Sequence, residues 1–177
     1  MIESFQKIYT ELEHQRSQLL SQVKDIPTDK FYSSPAPGKW SISQVLTHIL
    51  TAESLSIGYM KKKAQGIDQL GNSGIIQVFI LELLKISQRI PTLKFKAPKV
   101  VVQNTPAALP LNEVIQKWDA QRANLKLFLE GIEEKNAKKL LYKHPIAGRL
   151  DARQALIFFG EHIGHHLPQI KRLLDQN

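Results

Sequence analysis

The stretch that indicates the fold most clearly reads Gly160-Glu161-His162-Ile163-Gly164-His165-His166-Leu167-Pro168-Gln169. Residues four apart lie one above the other on a helix, so His162 and His166 would share one face. Two imidazoles directed into a protein core need a partner there, and a metal ion is one candidate. The face belongs to a stripe of core-type spacing, with steps of three and four: Ala155, Phe159, His162, His166, Gln169 or Ile170, and Leu173.

The composition predicts one compact domain. With 177 residues, 42% of them hydrophobic, the chain can bury a sizeable core, and we expect a single domain over residues 1–177. It has no cysteine, which excludes disulfides, thiolate metal ligands and a cysteine nucleophile and fits a reducing compartment. The N-terminus has no apolar signal segment, and no apolar run approaches the roughly 20 residues that span a membrane. We therefore expect a soluble, cytoplasmic protein without membrane contacts.

The formal charge of +8 raises the question of nucleic-acid binding. The lysines are scattered over short segments (residues 61–63, 94–99 and 135–143), without interleaved aromatic residues and without a helix-turn-helix or RNP signature. This pattern favours a solvated basic surface. Nucleic acid is therefore not the expected partner, although a basic nucleic-acid binder stays open as an alternative.

Apolar spacing predicts two long helices in the first third of the chain. The first runs from Ile2 to Val23, with apolar residues at steps of three and four, and Pro27 ends it. The second follows an irregular connection at residues 27–39. It begins after Ser41, which forms a capping box with Gln44, and extends to about Lys63.

Two more long helices are predicted in the second half. One runs from Leu111 to about Ile132, and the last from residue 152 to about 175, with Asp151 and Gln154 as its capping box. Pro168 predicts a kink in the last helix.

The segments between the long helices predict the remaining architecture. Residues 75–86 are apolar almost all round, which suits a short buried helix. Residues 89–110 carry four prolines and three consecutive valines, and we expect an extended crossover, with a short strand left open. Tyr142–Gly148 is predicted to be a loop with a turn. The expected fold is all-α: a four-helix up-down bundle with a long crossover and a short extra helix.

A third histidine shares the character of the pair on the last helix. His48 falls on the apolar stripe of the second helix, formed by Val45, His48, Ala52, Leu55 and Tyr59. A lone histidine in such a place is usually a buried, hydrogen-bonded core residue. Its meaning changes if His162 and His166 face it.

Familiar catalytic motifs are missing. His162 is followed by Ile163, so the general base of the H-E-x-x-H metalloprotease motif is lacking, and H-x-x-E-H is absent too. The chain has no G-x-S-x-G nucleophile motif and no G-x-G-x-x-G or other phosphate-binding loop. H-x-x-x-H alone is a weak signal.

Three motifs taken together resemble one known family. They are Trp40-Ser41-Ile42-x-x-Val45-Leu46-x-His48 early in the chain, His144-Pro145-x-x-Gly148 before the last helix, and His162-x-x-x-His166-x-x-Gln169-Ile170 within it. With these residues the sequence resembles the DinB-like family, including its YfiT-like branch of metal-dependent hydrolases and bacillithiol transferases. The likeness spans essentially the whole chain, although only about a dozen residues carry it.

The resemblance implies a four-helix bundle that holds one divalent transition metal (zinc, nickel or iron) on three histidines. By position, His48, His162 and His166 match the family's ligands, and Gln169 matches the glutamine that follows them. Members of the family commonly form dimers, so a homodimer is expected. Pro168 departs from the family pattern beside the second ligand of the last helix.

The chemistry of three imidazoles agrees with this expectation. Neutral ligands leave the ion its full charge and an open position, at which water or a substrate thiol would be deprotonated. The function expected is hydrolysis of a small-molecule substrate; the alternatives are transfer of a low-molecular-weight thiol such as bacillithiol, or a non-catalytic metal-binding or dimerisation module. His165 is expected beside the ligands or at the surface, and His144 in its turn or at the site. Helical phase places neither Glu53 nor Glu161 beside the ligands, so no general base is assigned.

Overall fold

The computed structural model describes residues 1–89, 99–106, 108–145 and 147–176. Within these ranges the chain is a helical bundle with one small antiparallel hairpin, which confirms the predicted all-α class. None of the helices in these ranges is both long and apolar enough to cross a membrane. The elements in order are α1 (Glu3–Val23), α2 (Thr28–Tyr32), α3 (Ile42–Ala64), α4 (Ile75–Arg89), α5 (Lys99–Asn104), α6 (Leu111–Glu130), β1 (Tyr142–His144), β2 (Gly148–Leu150) and α7 (Ala152–Asp175).

Capping boxes begin the two helices that carry the histidines, as the sequence predicts. At α3, the Ser41 hydroxyl accepts the amide of Gln44 at 3.2 Å, and the Gln44 side chain accepts the amide of Ser41 at 2.9 Å. Asp151 and Gln154 make the same reciprocal pair at α7. Each box satisfies amides that the first turn of a helix leaves unpaired, and so fixes where the helix begins.

The two middle helices of the bundle, α3 and α6, run in the same direction. Ser43 near the start of α3 bonds to the carbonyl of Leu109 just before α6, and Glu53 further along α3 meets Trp118 further along α6. The long connection through α4 and α5 returns the chain to the end from which α3 began. Such a crossover is what parallel neighbours in a bundle require.

The outer helices complete a bundle of up-down-down-up direction. Along α1 and α6 the contacts run in opposite order, because Tyr9 bonds to the carbonyl of Arg122 whereas Arg16 pairs with Asp119. α1 packs against α7 and α6, and α3 packs against α6 and α7, so the four long helices enclose one core. Its fully buried large side chains include Phe5, Leu12, Leu46, Ile49, Trp118, Leu125 and Phe159.

Residues 75–86 form a helix, as predicted, but the prediction that this helix is buried is wrong. The helix is present as α4, but it packs on α7 with one side only, where Leu81 and Leu84 are buried. When a segment is apolar all round, its sequence does not indicate which side of the helix is covered. The apolar residues of its outer side, which we call the outer face of α4, are Ile75, Ile76, Val78, Phe79, Leu83 and Ile86, exposed by 51–88%.

Two connecting segments also differ from the prediction. In the crossover, Lys99–Asn104 form the helix α5 rather than extended chain; residues 90–98 and 107 lie outside the described residues. α5 packs against α3, and this contact outweighs the low helix propensity of consecutive valines. The predicted loop Tyr142–Gly148 is a hairpin, with His144 paired to Gly148. Gly148 has φ +73°, which glycine adopts without strain.

α7 continues as a helix through Pro168. The proline cannot donate an amide to the carbonyl of Gly164, and Gly164 is exposed, so water can reach that carbonyl instead. The kink predicted at this point stays a prediction.

Candidate metal centre

The structure brings His48, His162 and His166 together between α3 and α7. One ring nitrogen from each of the three lies within 4.8 Å of the other two. His162 and His166 are one helical turn apart, and their Nε2 atoms are 3.2 Å from each other. His48 comes from the facing helix, with its ring centroid 5.3 Å from that of His162 and 5.2 Å from that of His166.

The donor set fits a divalent transition metal. Two nitrogens bound to one zinc ion, each at about 2.0–2.1 Å and near the tetrahedral angle, lie about 3.3 Å apart. The separation of 3.2 Å between Nε2 of His162 and Nε2 of His166 is close to this value. Imidazole nitrogen is a ligand that zinc, nickel, copper and iron all accept.

Gln169 fixes the orientation of the His166 ring. Its side-chain oxygen lies 3.0 Å from Nδ1 of His166. A carbonyl oxygen can only accept, so Nδ1 carries the proton and Nε2 keeps its lone pair for another partner. Metal-binding histidines commonly have such a partner on their second nitrogen.

Burial keeps the three rings neutral. It lowers the pKa of His48 to about 4 and that of His166 to about 3, and it moves the pKa of His162 well below the ordinary 6.5. The neighbouring imidazoles add to this effect, because each ring disfavours a positive charge on the next. Neutral histidines are the form that binds metal, so the cluster needs no proton release near pH 7.

Two aromatic side chains that the sequence did not single out for the site flank the cluster. The Trp40 ring lies 4.8 Å from that of His48, and the Phe158 ring stacks on His162 at 5.7 Å with an angle of 16° between the planes. Phe158 stands four residues before His162, so helical spacing could have indicated this contact. Trp40 precedes the cap of α3, and its spacing gives no such signal. These rings give the imidazoles an apolar surrounding.

His144 lies next to the cluster rather than in it. It is buried, with its ring centroid 4.4 Å from that of Phe158, and its Nδ1 accepts the amide of Ala147 at 2.9 Å. Burial lowers the pKa of His144 to about 4. The hydrogen bond holds the hairpin turn.

His165 also stands outside the three converging nitrogens. Its ring is 5.1 Å from that of His166, and the side chain is half-buried. It lines a groove beside α7, together with Trp40, His166 and Gln169. The structure therefore places His165 beside His166.

Neither of the two nearest carboxylates joins the cluster. Glu53 is buried and faces α6, where it accepts hydrogen bonds from Trp118, Gln121 and Arg122. Burial raises its pKa, and Arg122 opposes that shift. Glu161 is half-buried and lines the groove on α7. The expectation from helical phase thus agrees with the position of both side chains.

Comparison with known protein families finds a match over most of the chain. The sequence profile of the DinB superfamily matches residues 11–170. The chain belongs to the DinB superfamily. The match extends from the middle of α1 through most of α7, and so includes all three histidines of the cluster.

A curated relative aligns with most of the chain. The chain is 22% identical over 161 residues to the uncharacterized protein YuaE of Bacillus subtilis (strain 168). The aligned region covers 91% of this chain and 93% of YuaE.

Proposed function

We propose that this DinB superfamily member is a metal-dependent enzyme in which His48, His162 and His166 hold one divalent transition metal. The observation that carries the proposal is the convergence of three neutral imidazoles, one of them fixed by Gln169. The reaction proposed is hydrolysis of a small molecule. When bound, an ion on three neutral ligands lowers the pKa of a water molecule in its open position to about 7.

The residues of the chain supply position and surroundings. Gln169 holds the proton of His166 on Nδ1 and so directs Nε2 toward the other two rings. Trp40 and Phe158 shield His48 and His162 from solvent. A low local dielectric strengthens the electrostatic effect of a charge held there.

The metal site is tested by elemental analysis of protein that was purified without a histidine tag and soaked in zinc or nickel. We expect about one ion per chain, bound by the three imidazoles. The variant with His48, His162 and His166 all changed to alanine should retain none. His14→Ala removes an exposed histidine on α1 and serves as the matched control. Equal metal content in the wild type and the triple variant would show that the proposed site does not exist.

Transfer of a low-molecular-weight thiol is the second candidate reaction. The chain has no cysteine, so any sulfur nucleophile has to come from the substrate. An ion in the same site would deprotonate a bound thiol as it would water. Incubating the metal-loaded protein with bacillithiol and an alkylating electrophile tests transfer, and ester or amide probes without thiol test hydrolysis. Whichever assay shows a metal-dependent rate above background identifies the reaction.

We also propose that the protein is a homodimer. The support is the outer face of α4, on which Ile76, Phe79, Leu83 and Ile86 follow steps of three and four, the spacing by which two helices interlock. Large exposed apolar patches on a protein surface commonly mark an interface. The single domain over residues 1–177 is part of the same proposal, and the cytoplasmic location stays a prediction.

A non-catalytic role as a metal-binding or dimerisation module has no separate structural support. It predicts metal binding without any rate in either assay. Binding of nucleic acid through the basic surface would weaken steeply with salt, because it depends on the release of counterions.

A further inference from the structure

A long groove lies between α7 and α1. Its volume is about 1120 Å³. It extends along α7 from Arg153 to Arg172, nineteen residues or about 28 Å at the rise of an α-helix. Trp40, His166 and Gln169 line it as well, so the groove reaches the residues that form and support the histidine cluster.

The groove exists because α7 lacks long side chains along one line. Gly160, Gly164 and Pro168 follow each other at intervals of four residues and all line the groove. A Cβ on Gly160 would lie 2.9 Å from the side-chain oxygen of Gln15, so this end is closely packed by α1. A Cβ on Gly164 would meet nothing within 4 Å. The groove is therefore open at Gly164, in the middle of its length.

The charges that face the groove favour an anion. Lys7, Arg153 and Arg172 line it, and none of them has an ion-pair partner among the described residues. Two carboxylates, those of Glu11 and Glu161, line it too. A fourth cation of the lining, Lys85, is already bonded to Glu82 at 2.7 Å. The three cations that lack an ion-pair partner in the described part of the chain outnumber the two carboxylates, so the lining attracts negatively charged ligands.

Much of the remaining lining is apolar. Ile8 and Leu12 come from α1, and Leu156 and Ile157 come from α7. Trp40, whose ring packs on His48, adds an aromatic surface. A ligand that fills the groove would therefore remove apolar surface from water along its length while its charged group meets a cation.

We propose that this groove binds an amphiphilic anion, a carboxylate or phosphate on an extended apolar chain, and delivers it to the histidine cluster. Only the delivery rests on the proposed function. The binding depends on residues of α1 and α7 and takes place with or without a metal. The groove thus defines the class of substrate for the site.

Binding is measured on the full chain by tryptophan fluorescence, with decanoate and decyl phosphate as probes. Trp40 lines the groove, whereas Trp118 is fully buried and supplies a constant background. We expect both probes to change the fluorescence saturably, with the tighter one identifying the head group. Decyltrimethylammonium has the same chain length and the opposite charge, and it should bind at least tenfold more weakly. The signal should disappear in Trp40→Phe.

The location is tested by filling the open middle of the groove. Gly164→Leu adds a side chain where the structure has free space, and leucine is the better helix former, so the fold is preserved. We expect the dissociation constant for decanoate to rise at least tenfold. Gly58→Leu is the matched control, because Gly58 is also an exposed glycine in a long helix with nothing near its Cβ, but it lies on α3 outside this groove. It should bind decanoate as the wild type does.

The outcomes separate this proposal from the proposed function. Equal binding of the cationic probe, or equal affinity of Gly164→Leu and the wild type, would overturn the groove as an anion site. The same holds if decanoate fails to bind and a cross-linker placed at Gly164 captures a second copy of the chain. Decanoate binding to a protein that retains no zinc or nickel would support the groove and refute the metal site.

Discussion

The side-chain oxygen of Gln169 accepts the Nδ1 proton of His166 at 3.0 Å, from a position three residues further along the same helix. The pair leaves Nε2 of His166 unprotonated and 3.2 Å from Nε2 of His162. One hydrogen bond within α7 thus sets the tautomer of a ring that the opposite helix faces. A residue without any contact to the ion would in this way control how well the ion is held.

Replacing Gln169 should weaken metal binding without removing it. Gln169→Leu keeps the size of the side chain but loses the acceptor, so His166 can turn or change tautomer. We expect zinc affinity to fall by about 10-fold to 100-fold, as measured by competition with a chelator. Gln18→Leu, on the exposed side of α1, is the control and should bind as the wild type does. Unchanged affinity in Gln169→Leu would mean that the hydrogen bond does not orient the ligand.

The buried carboxylate of Glu53 should support the fold and not the site. Glu53→Leu removes the carboxylate that lies 2.9 Å from Nη2 of Arg122. Arg122 keeps its second ion pair, with Glu13 at 3.3 Å from Nε. We expect the free energy of unfolding in urea to fall by about 3 kcal/mol, with metal content unchanged.

A second substitution separates charge from packing at Glu53. Adding Arg122→Met to Glu53→Leu removes the uncompensated charge and should restore most of the loss. A loss below about 1 kcal/mol in the single variant would show that the ion pair contributes little. A loss of metal would show that Glu53 acts on the site.

Stability should depend on pH through His144. The pKa of this ring is about 4 in the folded protein and 6.5 ordinarily. The unfolded chain therefore binds more protons between these values, so the contribution of the neutral ring is present above pH 6.5 and is lost as the pH falls toward 4. His144→Asn keeps an acceptor for the amide of Ala147 but does not titrate.

The comparison is made on metal-free protein by urea unfolding at two pH values. The stability advantage of the wild type over His144→Asn should shrink by about 1 kcal/mol from pH 7 to pH 5.5. A constant difference between the two proteins would show that His144 does not take part in the acid response.

The outer face of α4 should hold the dimer together. Phe79 and Leu83 are exposed by 64% and 51%. Changing both to glutamate places like charges across the interface, and we expect the dimer to become a monomer in sedimentation velocity. Leu127→Glu is the matched control, since Leu127 is 68% exposed on α6. A wild type that sediments as a monomer, or a dimer that survives the double change, would exclude this face as the interface.

The elements that the sequence predicts best are those with a local signal where they begin. The capping boxes of Ser41 and Asp151 mark where α3 and α7 begin, and the predicted ends near Lys63 and residue 175 agree with Ala64 and Asp175. A capping box is formed by two residues three positions apart, so it does not depend on tertiary contacts. The meeting of His48 with the pair on α7 was predictable because each stands on the core stripe of its own helix.

Other features depend on contacts that one sequence does not encode locally. The outer face of α4 is exposed because α7 covers only the opposite side of this helix. The segment α5 is helical because of its contact with α3. The position of Trp40 on His48 depends on how the chain enters α3. The groove at Gly164 depends on the spacing between two helices that are far apart in the chain.

The packing of α1 against α7 has a consequence for the order of folding. Gln15 touches Gly160, and these residues are separated by 160 − 15 = 145 positions. Helical proteins fold fast when their contacts are local, whereas this bundle closes through one of the most distant contacts the chain can make. During synthesis, the parts of α1 and α3 that pack on α7 stay uncovered until α7 leaves the ribosome. His48 contacts the other two imidazoles only when α7 packs on α3. The cluster therefore forms late, together with the closing of the core.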